Sequence, residues 1–148
     1  MRKRDATVAP VLQSFGGANG HDPVAFAAPY ALNATNHGRP AGRDGMQRIA
    51  ELLLAAFPDV RFEVDATVVE GDAVMCEVTM TGTHLGQPKA GTGRRLADLP
   101  PTGRSVRQRQ MHWFRVVDGE IAEHRAVRDD LELLTQLGLE EVAPAAGP

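Results

Sequence analysis

The stretch that decides the fold is Met111–Gly138, MHWFRVVDGEIAEHRAVRDDLELLTQLG. Asp118-Gly119 between two runs of strand-like residues is the strongest short hairpin signal a sequence offers. The stretch therefore reads as a strand, a two-residue turn, a returning strand and a short capped helix closed by Gly138. A two-residue loop sets Val116 opposite Ile121, Phe114 opposite Glu123, His112 opposite Arg125, Gln110 opposite Val127 and Gln108 opposite Asp129. That face is apolar beside the turn and polar at its far end, which suits a pocket wall. Asp129, where strand gives way to helix, is its candidate reacting group. The other face carries Arg107, Arg109, Arg115, Arg128, Glu120 and His124, with Met111 and Trp113 among them. It suits water or another subunit.

Outward from the hairpin, the period of the apolar residues divides the chain in two. Ala6–Phe15 has helical spacing and stops at Gly16-Gly17. Asp22-Pro23 is an N-cap followed by proline at the first helical position, opening a short helix through Ala28. Tyr30–His37 reads as a connector. Asp44 can cap a helix to Phe57, with Met46, Ile49, Leu53 and Ala56 on one stripe and Leu52 beside it. From Pro58 the period becomes two. Val60, Phe62, Val64, Ala66 and Val68 alternate with polar residues, Gly71-Asp72 turns the chain, and Ala73–Thr83 returns. Residues 86–103 read as a long loop, and Arg104–Val117 with Glu120–Arg128 make the hairpin. Helices first and a meander of antiparallel strands afterwards indicate an α+β fold: a curved sheet folded over a long helix, with a cavity between them.

Composition bounds the function. A chain of 148 residues with 43% hydrophobic content suits one domain, with an ordered core over about residues 7–140 and a disordered tail after Glu141. The net charge of -3 disfavours nucleic acid as a partner, although Arg94, Arg95, Arg104, Arg107 and Arg109 cluster locally. The single cysteine, Cys76, excludes an intrachain disulfide framework and sits in a strand pattern as a small hydrophobe. No apolar run approaches a membrane span and no signal segment is visible, so the expectation is a soluble cytoplasmic protein without a membrane partner. No histidine pair stands at metal-binding spacing with a carboxylate, and no serine sits in a nucleophile elbow.

An ordered series of short pieces then carries a resemblance. It runs through Ala56-Phe57-Pro58-Asp59-Val60-Arg61, Glu70-Gly71-Asp72, Gly82-Thr83-His84-Leu85-Gly86 and Pro100-Pro101-Thr102-Gly103-Arg104. It continues with His112 and Arg115, Asp118-Gly119-Glu120-Ile121-Ala122-Glu123-His124, Asp129 and Gln136-Leu137-Gly138. Over about residues 10–138 the chain resembles the SnoaL-like polyketide cyclases, within the superfamily that looks like nuclear transport factor 2. The resemblance implies a cone-shaped α+β barrel with an internal pocket, no metal, no organic cofactor and a homodimer. It also implies cofactor-independent, intramolecular ring closure of a polyketide-type intermediate in secondary metabolism, a lyase or isomerase activity. Cyclases of this kind use one aspartate as acid/base, and Asp129 matches it.

The chemistry is consistent with the residues: a carbon acid needs a nearby base and a donor for the developing enolate oxygen. His112 and Gln110 are candidates for that donor, and Phe114 for a contact with the ligand. Tyr30, Asn33, Asn36 and His37 are candidate substrate contacts from the connector. Arg125 stands where many family members have tryptophan. Near Asp129 it would weaken that base or hold a substrate carbonyl or carboxylate. Asp129 also suits a helix N-cap, and His112 a buried histidine held by the backbone. A templated cycloaddition remains open beside the aldol closure. So do an epoxide hydrolase, isomerase or hydroxylase on the same scaffold, and a non-catalytic ligand-binding domain.

Overall fold

The computed structural model describes residues 2–87 and 100–139. The middle of the expected long loop and the expected tail lie outside them. The order is α1 (Lys3–Asn19), α2 (Pro23–Ala27), β1 (Tyr30–Asn36), β2 (Arg39–Pro40), α3 (Gly42–Ala56), β3 (Arg61–Glu70), β4 (Ala73–Thr83), β5 (Ser105–Val117), β6 (Glu120–Arg128) and α4 (Asp130–Gln136). The strands form one curved, unclosed six-stranded sheet in the order β2-β1-β6-β5-β4-β3. Every neighbouring pair is antiparallel except β1 with β6. The α+β class read from the sequence holds, with the helices packed on one face of the sheet.

Three local differences from the sequence reading have physical causes. Helix α1 runs through Gly16-Gly17 because Gly17 is a contact point: a Cβ there would enter the backbone of Ala25 and Phe26 in α2. Asn19 then clamps the helix end to β3, its Nδ2 donating to Phe62 O (2.9 Å) while its Oδ1 accepts from Phe62 N (2.7 Å). Tyr30–Asn36 is a strand, not a connector, lying parallel to β6. Its buried side chains are Tyr30, Ala31 and Ala34, and small residues between asparagines give little strand signal. Helix α3 begins at Gly42 with no side-chain cap, so Asp44 lies in its first turn.

A fourth difference positions the site. Asp118 and Gly119 both have positive φ, 51° and 77°, as a two-residue hairpin turn of this hand requires. The expected register holds at Val116↔Ile121 and then slips, so that Arg115 pairs with Glu123. Ala122 is the extra residue of a β-bulge. Beyond it Phe114 faces His124, His112 faces Ala126 and Gln110 faces Arg128. The inner set of β6 therefore changes from odd to even numbers. Strand β6 lies between β5 and β1, and Ile121 N donates to Pro29 O (2.9 Å) on the β1 side.

Candidate active site

Between the helices and the sheet lies a cavity of about 450 Å³, within the range of small-molecule sites. The apolar stripe of α3 (Met46, Ile49, Leu53) forms one side and Phe15, Phe26 and Phe62 narrow it. Phe15 meets His112 edge-on, with ring centroids 5.3 Å apart, and meets Phe114 the same way at 6.0 Å. The β5–β6 wall contributes Gln108, Gln110, His112, Phe114, His124 and Arg128.

On that wall the polar side chains form a file. Gln108 Nε2 donates to Asp130 Oδ1 (3.0 Å) and to Asp129 O (3.1 Å). Gln110 Nε2 donates to Gln108 Oε1 (2.8 Å), and Gln110 Oε1 lies 2.7 Å from His112 Nε2. His112 Nδ1 is 2.9 Å from His124 Nε2, and His124 Nδ1 is 2.8 Å from Asn36 Oδ1. Gln108, Gln110, His112 and His124 are all buried. Burial first, then the positive charge of Arg128 and His37, pushes the His112 imidazole down to about 3, so it is neutral at ordinary pH. On neighbouring β1, burial pushes the Tyr30 phenol up, partly countered by its hydrogen bond with Ser14. Ser14 Oγ in turn donates to Phe26 O (2.9 Å).

The bulge redistributes the residues singled out from sequence. Tyr30, Asn36, Gln110, His112 and Phe114 line the cavity. Asp129 does not. Its side chain is exposed and caps α4, Oδ1 accepting from Glu132 N (3.2 Å), beside a shallow groove with Arg109, Met111 and Val127. Arg125 also lies outside, its guanidinium 5.3 Å from the centre of the Trp113 ring, so it faces neither His112 nor a pocket acid. Asn33 is exposed and away from the cavity, and His37 is exposed with its ring 6.0 Å from that of His124. The slip brings in His124 and Arg128, both expected on the outer face, and the helix start adds Asp130. Among the described lining residues Asp130 is the only carboxylate. A signal for the slip was present: in phase with Ile121, positions 123, 125 and 129 are all charged. Among the described residues no cluster of histidine, cysteine and carboxylates is arranged to hold a metal ion.

The model of the SnoaL-like polyketide cyclases matches residues 11–137. The chain belongs to that family. Among curated proteins, the nogalonic acid methyl ester cyclase of Streptomyces nogalater is 28% identical over 131 residues, covering 86% of this chain and 92% of that protein. The aklanonic acid methyl ester cyclase DnrD of Streptomyces peucetius is 35% identical over 68 residues, 46% of this chain and 41% of that one. Of the solved structures, IdmH from Streptomyces antibioticus superposes with a TM-score of 0.72 at 26% identity, over 89% of this chain and 98% of that one. TsrD from Streptomyces laurentii shares the fold, with a TM-score of 0.80 at 24% identity over 94% and 99% of the two chains. This SnoaL-like chain is thus an enzyme of the polyketide cyclase type.

Proposed function

We propose that the protein catalyses intramolecular ring closure of a polyketide acid methyl ester in antibiotic biosynthesis, chiefly by folding and polarising the substrate. The observation that carries this reading is the cavity itself: apolar walls and one strip of uncharged, mutually hydrogen-bonded amides and a neutral imidazole. Holding two reacting carbons in an attack geometry contributes up to about 7–11 kcal/mol in ideal cases. Gln110 supplies the polarising donor. Its Nε2 spends one hydrogen on Gln108 and turns toward Met80 Sδ at 3.5 Å, a thioether that accepts only weakly. A substrate carbonyl would replace that sulfur and meet a donor already oriented by the file. The methyl ester class is taken from the names of the curated relatives.

A second reading, aldol closure with a carboxylate base, is favoured by Asp130, which lines the cavity with Oδ1 held by Gln108. Asp129 is not part of either reading. The protein would work in the cytoplasm as one domain spanning residues 1–148 and as a homodimer joined through the outer sheet face. Exposed Met75, Met111 and Val127 support that surface.

The test incubates purified protein with linear poly-β-carbonyl methyl esters and looks for a cyclic product of unchanged mass, the mark of an isomerase. Failure to form any such isomer across the panel removes the proposal. Asp130→Asn then separates the two modes. A loss below about tenfold fits templated closure, whereas the 10²–10⁴-fold loss typical of a missing general base gives the aldol mode. Asp129→Asn keeps the cap and leaves turnover unchanged in both.

A further inference from the structure

The file on the β5–β6 wall has a fixed direction, and that direction decides where a proton can enter it. Gln108 is its anchor, because both Nε2 hydrogens are committed, one to the main-chain carbonyl of Asp129 and one to Asp130 Oδ1. A main-chain carbonyl never donates, so the Gln108 amide cannot turn over without losing a bond. Its Oε1 must then accept from Gln110 Nε2, which leaves Gln110 Oε1 facing His112 Nε2. That nitrogen carries the hydrogen. A neutral His112 therefore has a bare Nδ1, and His124 Nε2 at 2.9 Å must donate to it. An added proton enters at the Asn36 end of the file, and passing it across the 2.9 Å bond to His112 would put the charge on a ring where burial, Arg128 and His37 oppose it, so His112 is locked as the neutral ring.

The far end of the file is not locked. His124 Nδ1 lies 2.8 Å from the Asn36 side-chain amide. With the amide oxygen toward it, Nδ1 must carry a hydrogen and the ring is an imidazolium. With the amide turned over, its NH₂ donates to a bare Nδ1 and the ring is neutral. The two orientations have nearly the same shape, so both charge states fit with only Asn36 moving. We propose that His124 is the proton-holding group of the cavity, taking a proton from solvent at Nδ1 as Asn36 presents its amide oxygen. The imidazolium then stands beside the oxygen that gains negative charge as the ring closes. Only this last clause rests on the ring-closure reading.

The charged and titratable groups that share the cavity wall with His124 are His112 on β5 and Arg128 on the same strand, with His37 just after β1 beside its ring, Tyr30 on β1, and Asp130 at the far, Gln108 end of the file. The lining residues of α1, α2, α3, β3 and β4 are uncharged. The positive charges of Arg128 and His37 that act on His112 face the same end of the wall.

The experiment is a nitrogen-15 NMR titration of the ligand-free, histidine-labelled protein, with resonances assigned by single His→Asn variants. His112 is expected as the Nε2–H tautomer at every pH where the protein is folded, while His124 gains its second proton first as pH falls. Asn36→Asp should raise the His124 midpoint by about one pH unit or more, since a carboxylate within hydrogen-bond reach favours the charged ring. Asn36→Leu should lower it. A hydrogen on His112 Nδ1, a His112 that titrates before His124, or a midpoint unmoved by Asn36→Asp each overturns the proposal. If Asn36→Asp does not fold, the wild-type tautomers decide alone. Failure of the cyclisation assay leaves the proton assignment standing, and failure of the titration leaves the cyclisation assay standing.

Discussion

Strand β5 shows two chemistries one residue apart. Its inner face carries Gln108, Gln110, His112, Phe114 and Val116, all buried, and its outer face Arg107, Arg109, Met111, Trp113 and Arg115. Both faces are rich in polar groups, yet the inner ones are uncharged and bonded to one another, whereas the outer ones are mostly cations. The difference follows from solvation. A buried amide costs little once its hydrogen bonds are made, but a buried charge needs a partner of opposite sign and good geometry. A wall meant to present donors to a ligand without charge is therefore built from glutamine and neutral histidine. The outer face keeps its charges in water, where pairs such as Arg115–Glu123 (2.7 Å) form with both partners partly exposed.

The inner face owes its order to packing as well as to its hydrogen bonds, and Phe15 is the main clamp, touching Phe62, His112 and Phe114. Phe15→Ala should cost about 3 kcal/mol, the usual lower end for a buried phenylalanine, because the space it leaves adds to an existing cavity. Urea denaturation measures it. A loss under about 1 kcal/mol would mean that the file holds itself and that the contrast between the faces is one of hydrogen bonding alone.

The next effect is a pH dependence that only the inner face can generate. His112 is held neutral in the folded chain, with its pKa down to about 3, against about 6.5 in an unfolded chain. Between those values the unfolded state binds more protons, so stability rises with pH through this window. The contribution is complete above about pH 6.5 and is lost progressively as pH falls toward 3. The slope approaches about 1.4 kcal/mol per pH unit in mid-window, or roughly 2 kcal/mol between pH 6 and 4.5. Glu123 on the outer side is lowered as well, first by its hydrogen bond to Arg115, but its contribution is lost only as pH falls through and below the ordinary carboxylate range. Urea midpoints at pH 7, 6, 5 and 4.5 should fall in the wild type and flatten in His112→Gln. Equal slopes in the two proteins would refute the neutral-histidine account.

The same two faces show what could be read from sequence. Alternation along β4, β5 and the first half of β3, the Asp118-Gly119 turn and the Asp22-Pro23 cap are local signals, and each is where its pattern says; β3 changes phase at a bulge between Val64 and Ala66, which leaves Ala66 and Val68 exposed instead of inward. Gln110, His112 and Phe114 were therefore identifiable as cavity residues. The bulge at Ala122 is not a local preference. It arises where β6 bonds to β1 on one side and β5 on the other, and β1 itself has an inconspicuous sequence. One slipped residue exchanged Arg125 and Asp129 for His124 and Arg128, which is the cost of a period of two. Asp130 reads from sequence only as the alternative to Asp129 for the cap of the final helix, so its place in the cavity had no separate signal. Family resemblance carried the fold and the polyketide cyclase type, while the wall's chemistry depended on a register that the paired strands determine and that the charged positions 123, 125 and 129 only hint at.

The smallest expected effect belongs to the outer face. Arg109 pairs with Glu77 at 3.0 Å, but its side chain is 78% exposed, so water screens the pair and side-chain entropy opposes it. Arg109→Ala should change stability by no more than about 1 kcal/mol, and by less at high salt. A larger loss that also depends on protein concentration would mean that another chain covers this face, since concentration enters stability only when subunits associate. Arg109 lies next to exposed Met111 and Val127, where the proposed dimer would meet. The weakest substitution of the series thus separates two states of the outer face. A small loss independent of concentration leaves it to solvent. A large, concentration-dependent one gives it to a second subunit and leaves the inner face unaffected.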